Sequence, residues 1–383
     1  MFKITIPKPE WHSRVANTVL DLEKLRTKEL YSEIPTHIFF QIKSIFQILE
    51  TLGSARIEGN HTTLLEYVEK ILENKAKTDE SQQEISNLDK GIEFVEENTD
   101  ENTLINRIYL SELHKIVINN LTPPPRGEGS IHPGYLRKHN VSITKSKHTP
   151  PDATVLQDYF DNFIDFINKE HLAQDQLLMI AIAHHRFAYM HPFDNGNGRV
   201  SRLLNYALLI KQGFKVKKGR IINPSSVFYS DRDKYYDMLS KSDSLRDKDI
   251  LAWIEYFLLG LKSEIEKVDS LLNTKFIKTN ILIPTINFAL ERENITQQES
   301  DILKYLVKKD DISMKTEELK NFGITGSVKK SRVMTRLKKK KIIKAITKGG
   351  RIYTINFVNS YLLRGVMLSL EKEGFISNFL NKN

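Results

Sequence analysis

His191-Pro192-Phe193-Asp194-Asn195-Gly196-Asn197-Gly198-Arg199-Val200-Ser201-Arg202 is the stretch on which the reading of this chain turns. Upstream, Leu177 to Met190 places apolar groups at helical spacing, and Pro192 interrupts that helix. Downstream, Val200, Leu203, Leu204, Ala207 and Leu208 resume a helical stripe. The predicted geometry is helix, tight glycine-containing loop, helix. Free amides at the entrance of the second helix, with the positive end of its dipole behind them, form an anion site. Arg199 and Arg202 lie three apart and are expected to project over the same place. His191 stands at the loop entrance, and imidazole is the side chain poised to take a proton near neutral pH. A base, a phosphate cradle and two guanidiniums point to phosphate-ester chemistry.

The stretch resembles the signature of the Fic family, His-Pro-Phe-x-(Asp/Glu)-Gly-Asn-Gly-Arg-x-x-Arg. The departure is Asn195, which stands where the family usually carries the acid that holds magnesium. Asp194, one residue earlier, should point elsewhere in so tight a loop. The resemblance implies an all-helical core with a small β-hairpin flap, and transfer of AMP from ATP to a Ser, Thr or Tyr hydroxyl of a protein. It makes His191 the catalytic base. The amides of Gly196, Asn197 and Gly198, with the Asn197 side chain, would stabilise the α-phosphate. Arg199 and Arg202 would hold the β- and γ-phosphates. With Asn195 a poor ligand, Mg2+ would be held mainly through the nucleotide.

Upstream, Ser54-Ala55-Arg56-Ile57-Glu58-Gly59-Asn60 follows a helical pattern over Pro35 to Gly53, with Ile38, Ile42, Ile45, Phe46 and Leu49 apolar. Taken alone, it is a helix C-terminus with a solvated Glu. It also fits the family's inhibitory pattern (Ser/Thr)-x-x-x-Glu-(Gly/Asn). By that resemblance Ser54 and Glu58 end an inhibitory helix of about residues 36–60, Glu58 pairs with Arg202, and the carboxylate takes the space a γ-phosphate needs. Val141-Ser142-Ile143-Thr144 alternates like a short strand. In the family a flap lies between these landmarks and pairs with an extended target segment; otherwise Val141 to Lys147 is a surface loop. His184 and His185 are adjacent on one helix, point about 100° apart and cannot share a metal. One of them is expected to be a packed core residue. Of Tyr235 and Tyr236, a pair that usually packs half-buried, Tyr236 is taken as the adenine-side aromatic.

The remainder divides by charge. The chain has a net charge of +9, whereas Ile295 to Asn383 holds 19 Lys/Arg and 8 Asp/Glu, a balance of +11, which leaves −2 for the preceding 294 residues. A Thr-x-x-Glu capping box at Thr296 and Glu299 opens one helix of this basic segment. Lys315 to Asn321 and Gly326 to Lys341 read as two more, followed by a hairpin of Ile342–Ala345 and Arg351–Phe357. That order resembles a winged helix-turn-helix. From Asn321 to Phe357 there are eleven Lys/Arg and no acid. Lys329, Lys330, Arg332 and Arg336 would meet a major groove, and Lys348 and Arg351 would flank a wing. The other reading is a protein-docking or dimerisation module.

The expected class is mainly α: a Fic all-helical core with a small flap, plus the C-terminal winged domain. The expected division is 1–105, an N-terminal helical region with the inhibitory helix; 106–261, the catalytic core; 262–290, a helical linker; and 291–383, the basic domain. No run of about 18 apolar residues exists to span a membrane, and the N-terminus lacks a signal-peptide core. Zero cysteines exclude disulfides, thiol catalysis and thiolate metal sites. A cytoplasmic adenylyltransferase is the leading expectation, with self-modification and a homodimer as open possibilities. The rivals are a DNA-binding regulator with a degenerate or sensory core, and an enzyme of the same fold moving UMP, phosphate or phosphocholine.

Overall fold

The computed structural model describes residues 3–27, 34–73, 79–143, 148–214 and 221–381. The fold is mainly helical. The first helices are α1 (Arg14–Thr27), α2 (Thr36–Ile57), α3 (Leu64–Glu73), α4 (Glu80–Asn98) and α5 (Arg107–Val117). They are followed by α6 (Leu156–Asn168), α7 (Gln176–Met190), α8 (Asn197–Lys211), a single turn α9 (Ser226–Tyr229), α10 (Arg232–Ser242) and α11 (Asp247–Leu271). Beyond these come α12 (Thr274–Phe276), a wider-turn segment Ile277–Leu282, α13 (Ile283–Glu291), α14 (Gln297–Lys308), α15 (Ser327–Lys339) and α16 (Leu362–Lys372). A three-stranded antiparallel sheet, β1 (Ser313–Lys315), β2 (Ile343–Ala345) and β3 (Ile352–Ile355), has the order β1-β3-β2. Among the described residues no helix is long and apolar enough to cross a membrane.

Two compact units divide the chain, each assembled from separated segments: 1–30, 50–62 and 77–266 in the first, 31–49, 63–76 and 267–383 in the second. In the first unit α7 and α8 form the central pair. Helix α7 is buried all round, including His184, His185 and Arg186, as a central helix must be. The apolar-polar alternation of its sequence therefore marks polar groups with internal partners. His184 stacks on Phe228 with ring centres 4.6 Å apart, and Trp253 of α11 donates its indole N–H to the Ala181 carbonyl at 2.6 Å. In the middle of the 50–57 segment of α2, Gly53 would cost about 1 kcal/mol without a reason. The reason is contact: a Cβ there would lie 2.2 Å from the Tyr229 ring.

In the second unit the capping box is present, with Thr296 and Glu299 each bonded to the other's backbone. The hairpin forms with Ile343 opposite Ile355, and β1 joins the far side of β3 with Ser313 opposite Thr354. The expected helix at Lys315–Asn321 is a 3-10 turn, Thr316–Phe322, behind the unforeseen strand β1. Gln41 bridges the end of β3, donating to the Ile355 carbonyl at 3.0 Å and accepting from the Phe357 N–H at 3.0 Å.

The stretch 262–290, expected as a helical linker, is helical and carries Ile265, Val268, Leu271, Leu282 and Ile286 fully buried. The expected flap needs correction. No strand forms over Val141, Ser142 and Ile143, whose backbone has no ladder partner; Thr144 and the rest of the expected flap to Lys147 lie outside the described residues.

Candidate active site

Helix α7 ends on His191, the C-cap residue, at φ 47 and ψ 63. A non-glycine residue in the left-handed region needs its surroundings to hold it there. Arg137, with 2% of its surface exposed, supplies the hold. Its Nε donates to the His191 carbonyl at 2.8 Å, and its Nη2 to the carbonyls of Pro151 at 2.6 Å and Met190 at 3.3 Å. Its Nη1 reaches the His139 carbonyl at 2.9 Å, and its own N–H donates to the Pro192 carbonyl at 2.9 Å. One guanidinium thus fixes the loop entrance and both stems of the segment read as a flap. Burial pushes the His191 imidazole down to about 4, with Glu58 opposing and Arg137 and His148 adding to the fall. At neutral pH the ring is uncharged and able to accept a proton.

The loop itself is pinned from two directions. Asn197 accepts the Phe193 N–H at 2.9 Å with Oδ1 and donates to the Phe193 carbonyl at 2.9 Å with Nδ2. Its side chain, expected to face a phosphate, is therefore consumed in closing the turn. Gly196 takes φ 74 just before α8, where a side chain would be strained. From α5, His114 donates from Nε2 to the Asn195 carbonyl at 3.1 Å and accepts the Gly134 N–H at Nδ1 at 2.9 Å. The ring lies flat on Phe193 at 3.9 Å, and burial holds it down at about 4, in the neutral form this pattern requires.

Glu58 reaches the first turn of α8. Its Oε1 accepts from Arg202 Nη2 at 2.7 Å, as the inhibitory pattern implies. A Cβ placed on Gly198 would lie 2.0 Å from that same oxygen. The carboxylate thus rests on the bare Cα in the first turn of α8, where an anion is favoured. Desolvation pushes the Glu58 carboxyl up, but Arg202, Arg199 and Arg232 together hold it below the ordinary range. Arg202 also donates Nε to the Ser54 hydroxyl at 2.8 Å and Nη2 to the Ser54 carbonyl at 3.0 Å. Its Nη1, 3.1 Å from the position of that Gly198 Cβ, is buried with no hydrogen-bond partner. A buried guanidinium with a spare donor facing the helix start is a site prepared for more acceptor oxygen than one carboxylate provides.

Arg199 does not share this place with Arg202. It reaches Glu84 Oε1 of α4 at 2.9 Å, and the carbonyl and carboxylate of Glu128 at 2.8 and 3.2 Å. Asn60 orients Glu84 by donating to its Oε2 at 2.8 Å. The shared projection expected from the spacing is corrected by these two acids, whose distant sequence positions gave no sign of them.

Tyr236 comes to the site, donating its hydroxyl to the Ile57 carbonyl at 3.3 Å, with the Arg232 guanidinium 5.5 Å from its ring centre. Tyr235 turns inward: its hydroxyl meets His184 Nε2 at 2.9 Å, while Asn205 donates to His184 Nδ1 at 2.7 Å. His185 is also buried and meets Asp243 at 3.1 Å, so both histidines have structural partners. Val141, Ser142 and Ile143 follow the stem that Arg137 clamps.

A cation finds little here. Asn195 Oδ1 accepts the Gly196 N–H at 2.8 Å and presents a neutral amide. Asp194 Oδ1 lies 3.6 Å from His139 Nε2, and among the described residues no three His, Asp or Glu side chains gather as metal ligands. These residues do not fit a cation held by the protein alone. In the second unit Lys329, Arg332, Lys348 and Arg351 are exposed and Lys330 is half-buried. Arg336 departs from the expectation of a free cation: its Nε lies 2.9 Å from the buried carboxylate of Glu299, which also holds Lys340 at 2.7 Å.

Residues 104–209 match the family model described as Fic/DOC family. The chain is 29% identical over 194 residues to "Protein adenylyltransferase Fic" of Aedes aegypti, covering 49% of this chain and 35% of that protein. It is 28% identical over 201 residues to the protein of the same name from Nematostella vectensis, covering 50% and 42%. The matched region spans little more than a third of the length of these relatives. The crystal structure of a Fic family protein from Desulfovibrio desulfuricans G20 superimposes with a TM-score of 0.58 at 18% identity, over 92% of this chain and 98% of that one, which shows a common fold. The pinned loop from His191 to Arg202 lies within residues 104–209, the stretch that matches the Fic/DOC family model.

Proposed function

We propose that the chain transfers AMP from ATP to a Ser, Thr or Tyr hydroxyl of a protein, and that Glu58 keeps it switched off. The observation that carries this reading is the Glu58 carboxylate resting on Gly198 and Arg202, an acidic side chain at the start of α8, with a half-buried, neutral imidazole at the loop entrance. With Glu58 withdrawn, the triphosphate enters along the first turn of α8. His191 takes the proton of the acceptor hydroxyl, the oxygen bonds to the α-phosphorus, and the bond to the departing pyrophosphate breaks. The amides of Asn197 and Gly198 stabilise charge on the α-phosphate oxygens, while the Gly196 N–H, expected to join them, is given to Asn195 Oδ1. Arg202 receives the terminal phosphates, and Arg199 contributes its field from between its two acids. Tyr236 lies on the adenine side. Val141, Ser142, Ile143 and Thr144 would align an extended target segment by strand addition. Mg2+ would arrive with the nucleotide and neutralise phosphate charge; none of these steps depends on a ligand from Asn195.

The test is incubation of the parent chain and Glu58→Gly with labelled ATP, UTP and CDP-choline. AMP appearing on protein only in the variant supports the reading, whether on a target or on the chain itself. A variant as inert as the parent, with no gain in ATP binding, refutes it; a different transferred group selects the rival enzyme. Loss of labelling in Glu58→Gly, His191→Ala assigns the base.

A second role is proposed for the C-terminal segment, in a cytoplasmic protein that would act as a homodimer: contact with duplex DNA through α15 and a wing at Lys348 and Arg351. The exposed Lys329 and Arg332 on a segment without acids support it. Binding that weakens steeply with salt, with a slope reduced in Lys329→Ala, Arg332→Ala, is the expected behaviour; binding with no salt dependence would leave protein docking as the role.

A further inference from the structure

Glu58 follows the end of α2 at Ile57, and its N–H reaches back to the Ala55 carbonyl at 3.0 Å. The turn beyond it closes on itself. The Asn60 N–H donates to that same Ala55 carbonyl at 3.2 Å, and Asn60 Oδ1 accepts the Thr62 N–H at 2.9 Å. The other end of the Asn60 amide leaves the turn. Its Nδ2 donates to two acceptors on α4, the Ser81 carbonyl at 2.9 Å and Glu84 Oε2 at 2.8 Å. The bond to Glu84 is buried, and a buried bond to a carboxylate is among the stronger kinds. The second oxygen of Glu84 forms the ion pair with Arg199 at 2.9 Å. Segment 54–60 is therefore attached to α8 twice. Ser54 and Glu58 meet Arg202 directly, and Asn60 is joined to Arg199, one turn earlier on α8, by way of Glu84.

We propose that Asn60 is a positioning residue for the inhibitory carboxylate: by holding the turn after Glu58 onto Glu84 of α4, it keeps Glu58 over Gly198 and on Arg202. This role rests on reading Glu58 as the plug of a nucleotide site. The Asn60 side chain bonds to Thr62, Ser81 and Glu84, and not to Gly198 or Arg202, so its influence on the site passes through the placement of Glu58. Without the Nδ2 donor, Glu84 Oε2 loses a buried partner and the turn loses its hold on α4. The carboxylate then spends more time away from Arg202, and a nucleotide meets less competition.

The experiment is calorimetric titration of the full chain with ATP in magnesium buffer. The chains compared are the parent, Asn60→Ser, Asn60→Asp, Glu58→Gly and Glu58→Gly/Asn60→Ser. Serine and aspartate both keep an oxygen for the Thr62 N–H and remove the donor to Glu84; aspartate also sets a second carboxylate against Glu84. Thermal unfolding checks that each chain folds, and Asn60→Ser, which adds no charge, decides if Asn60→Asp does not. The expected result is ATP binding about fivefold tighter in Asn60→Ser than in the parent (about 1 kcal/mol) and tighter still in Asn60→Asp. With Glu58 gone the tether has nothing to position, so Glu58→Gly/Asn60→Ser should match Glu58→Gly within about twofold. Unchanged ATP affinity in Asn60→Ser, or a change of the same size with and without Glu58, would overturn the positioning role while leaving the plug intact. A Glu58→Gly chain that binds ATP no better than its parent would overturn the plug and the positioning role together.

Discussion

Replacing Arg137 with Lys separates the positioning of the base from the binding of the nucleotide. The Arg137 side chain donates to four carbonyls, those of His139, Pro151, Met190 and His191, which lie around it in directions a planar fork can reach. A lysine nitrogen is a single point with three donors and cannot span that set. Losing two of the four, each a hydrogen bond from a charged group, removes roughly 3–6 kcal/mol. That is a large part of the 5–15 kcal/mol typical of a folded domain, so the variant must be assayed well below its unfolding temperature. With the clamp loosened, His191 can leave its left-handed conformation, and a displacement of about 1 Å at a reacting group lowers the rate on the order of 100-fold. Arg202 and Gly198 do not touch Arg137, so ATP binding should survive. The assay compares Glu58→Gly with Glu58→Gly/Arg137→Lys, following initial rates of labelled AMP incorporation and, separately, ATP affinity. The expected outcome is a rate loss near 100-fold with affinity held within about threefold. An unchanged rate, or affinity and rate falling together, would refute the positioning argument.

Three further outcomes follow from the same contacts. Burial raises the Glu50 carboxyl to about 7, although it accepts the Ser225 N–H and hydroxyl. An acid whose pKa is higher in the folded state loses stability as pH rises from its unfolded value, near 4.5, through the folded one; Glu50→Gln should therefore abolish a decline of about 3 kcal/mol between those pH values in thermal unfolding curves. A Cβ on Gly198 meets the far end of the Glu58 side chain, so Gly198→Ala should destabilise the parent by about 1–3 kcal/mol and Glu58→Gly much less, read as coupling in a urea double-mutant cycle. Because burial keeps His191 neutral and Glu58 only raises its pKa, the Glu58→Gly rate should stay level from pH 8 to about 5.5, and a fall centred near 6.5 would mean the imidazole titrates as an exposed one.

The features legible in the sequence were those written in local spacing. The helix-loop-helix around His191, the glycine positions and the capping box at Thr296 each depend on residues a few places apart. The pairing of Glu58 with Arg202 spans 144 positions and was reached only through the family pattern. What stayed hidden lacked either cue. Glu84 and Glu128 read as surface acids on or near amphipathic segments, and nothing local says that they converge on Arg199. Arg137 and His114 sit among ordinary polar neighbours in the sequence, yet their side chains donate to the His191 and Asn195 carbonyls of the loop. Strand β1 is three residues long, too short for its alternation to stand out from a turn. The side chain of Asn197 could equally have faced a ligand or its own backbone, and closing the turn took it.

The division of labour around Arg202 explains how a site can be plugged and still be preformed. Two of its donors are committed to Ser54, through the hydroxyl and the carbonyl, and neither bond involves Glu58. Glu50 and Ser54 lie four apart on one face of α2, and Glu58 follows four residues later, just past the end of the helix at Ile57. Glu50 anchors that face on Ser225 and Gly53 lets it close on Tyr229. The backbone is thereby anchored to the core of the first unit, while the Glu58 side chain is about a quarter exposed. Moving it releases one acceptor from a guanidinium that stays where Ser54 holds it. The ordering cost of the phosphate site is then already met when a nucleotide arrives, which favours tight binding. On the proposed function, entry of a nucleotide would exchange one carboxylate for one phosphate at donors that Ser54 already holds.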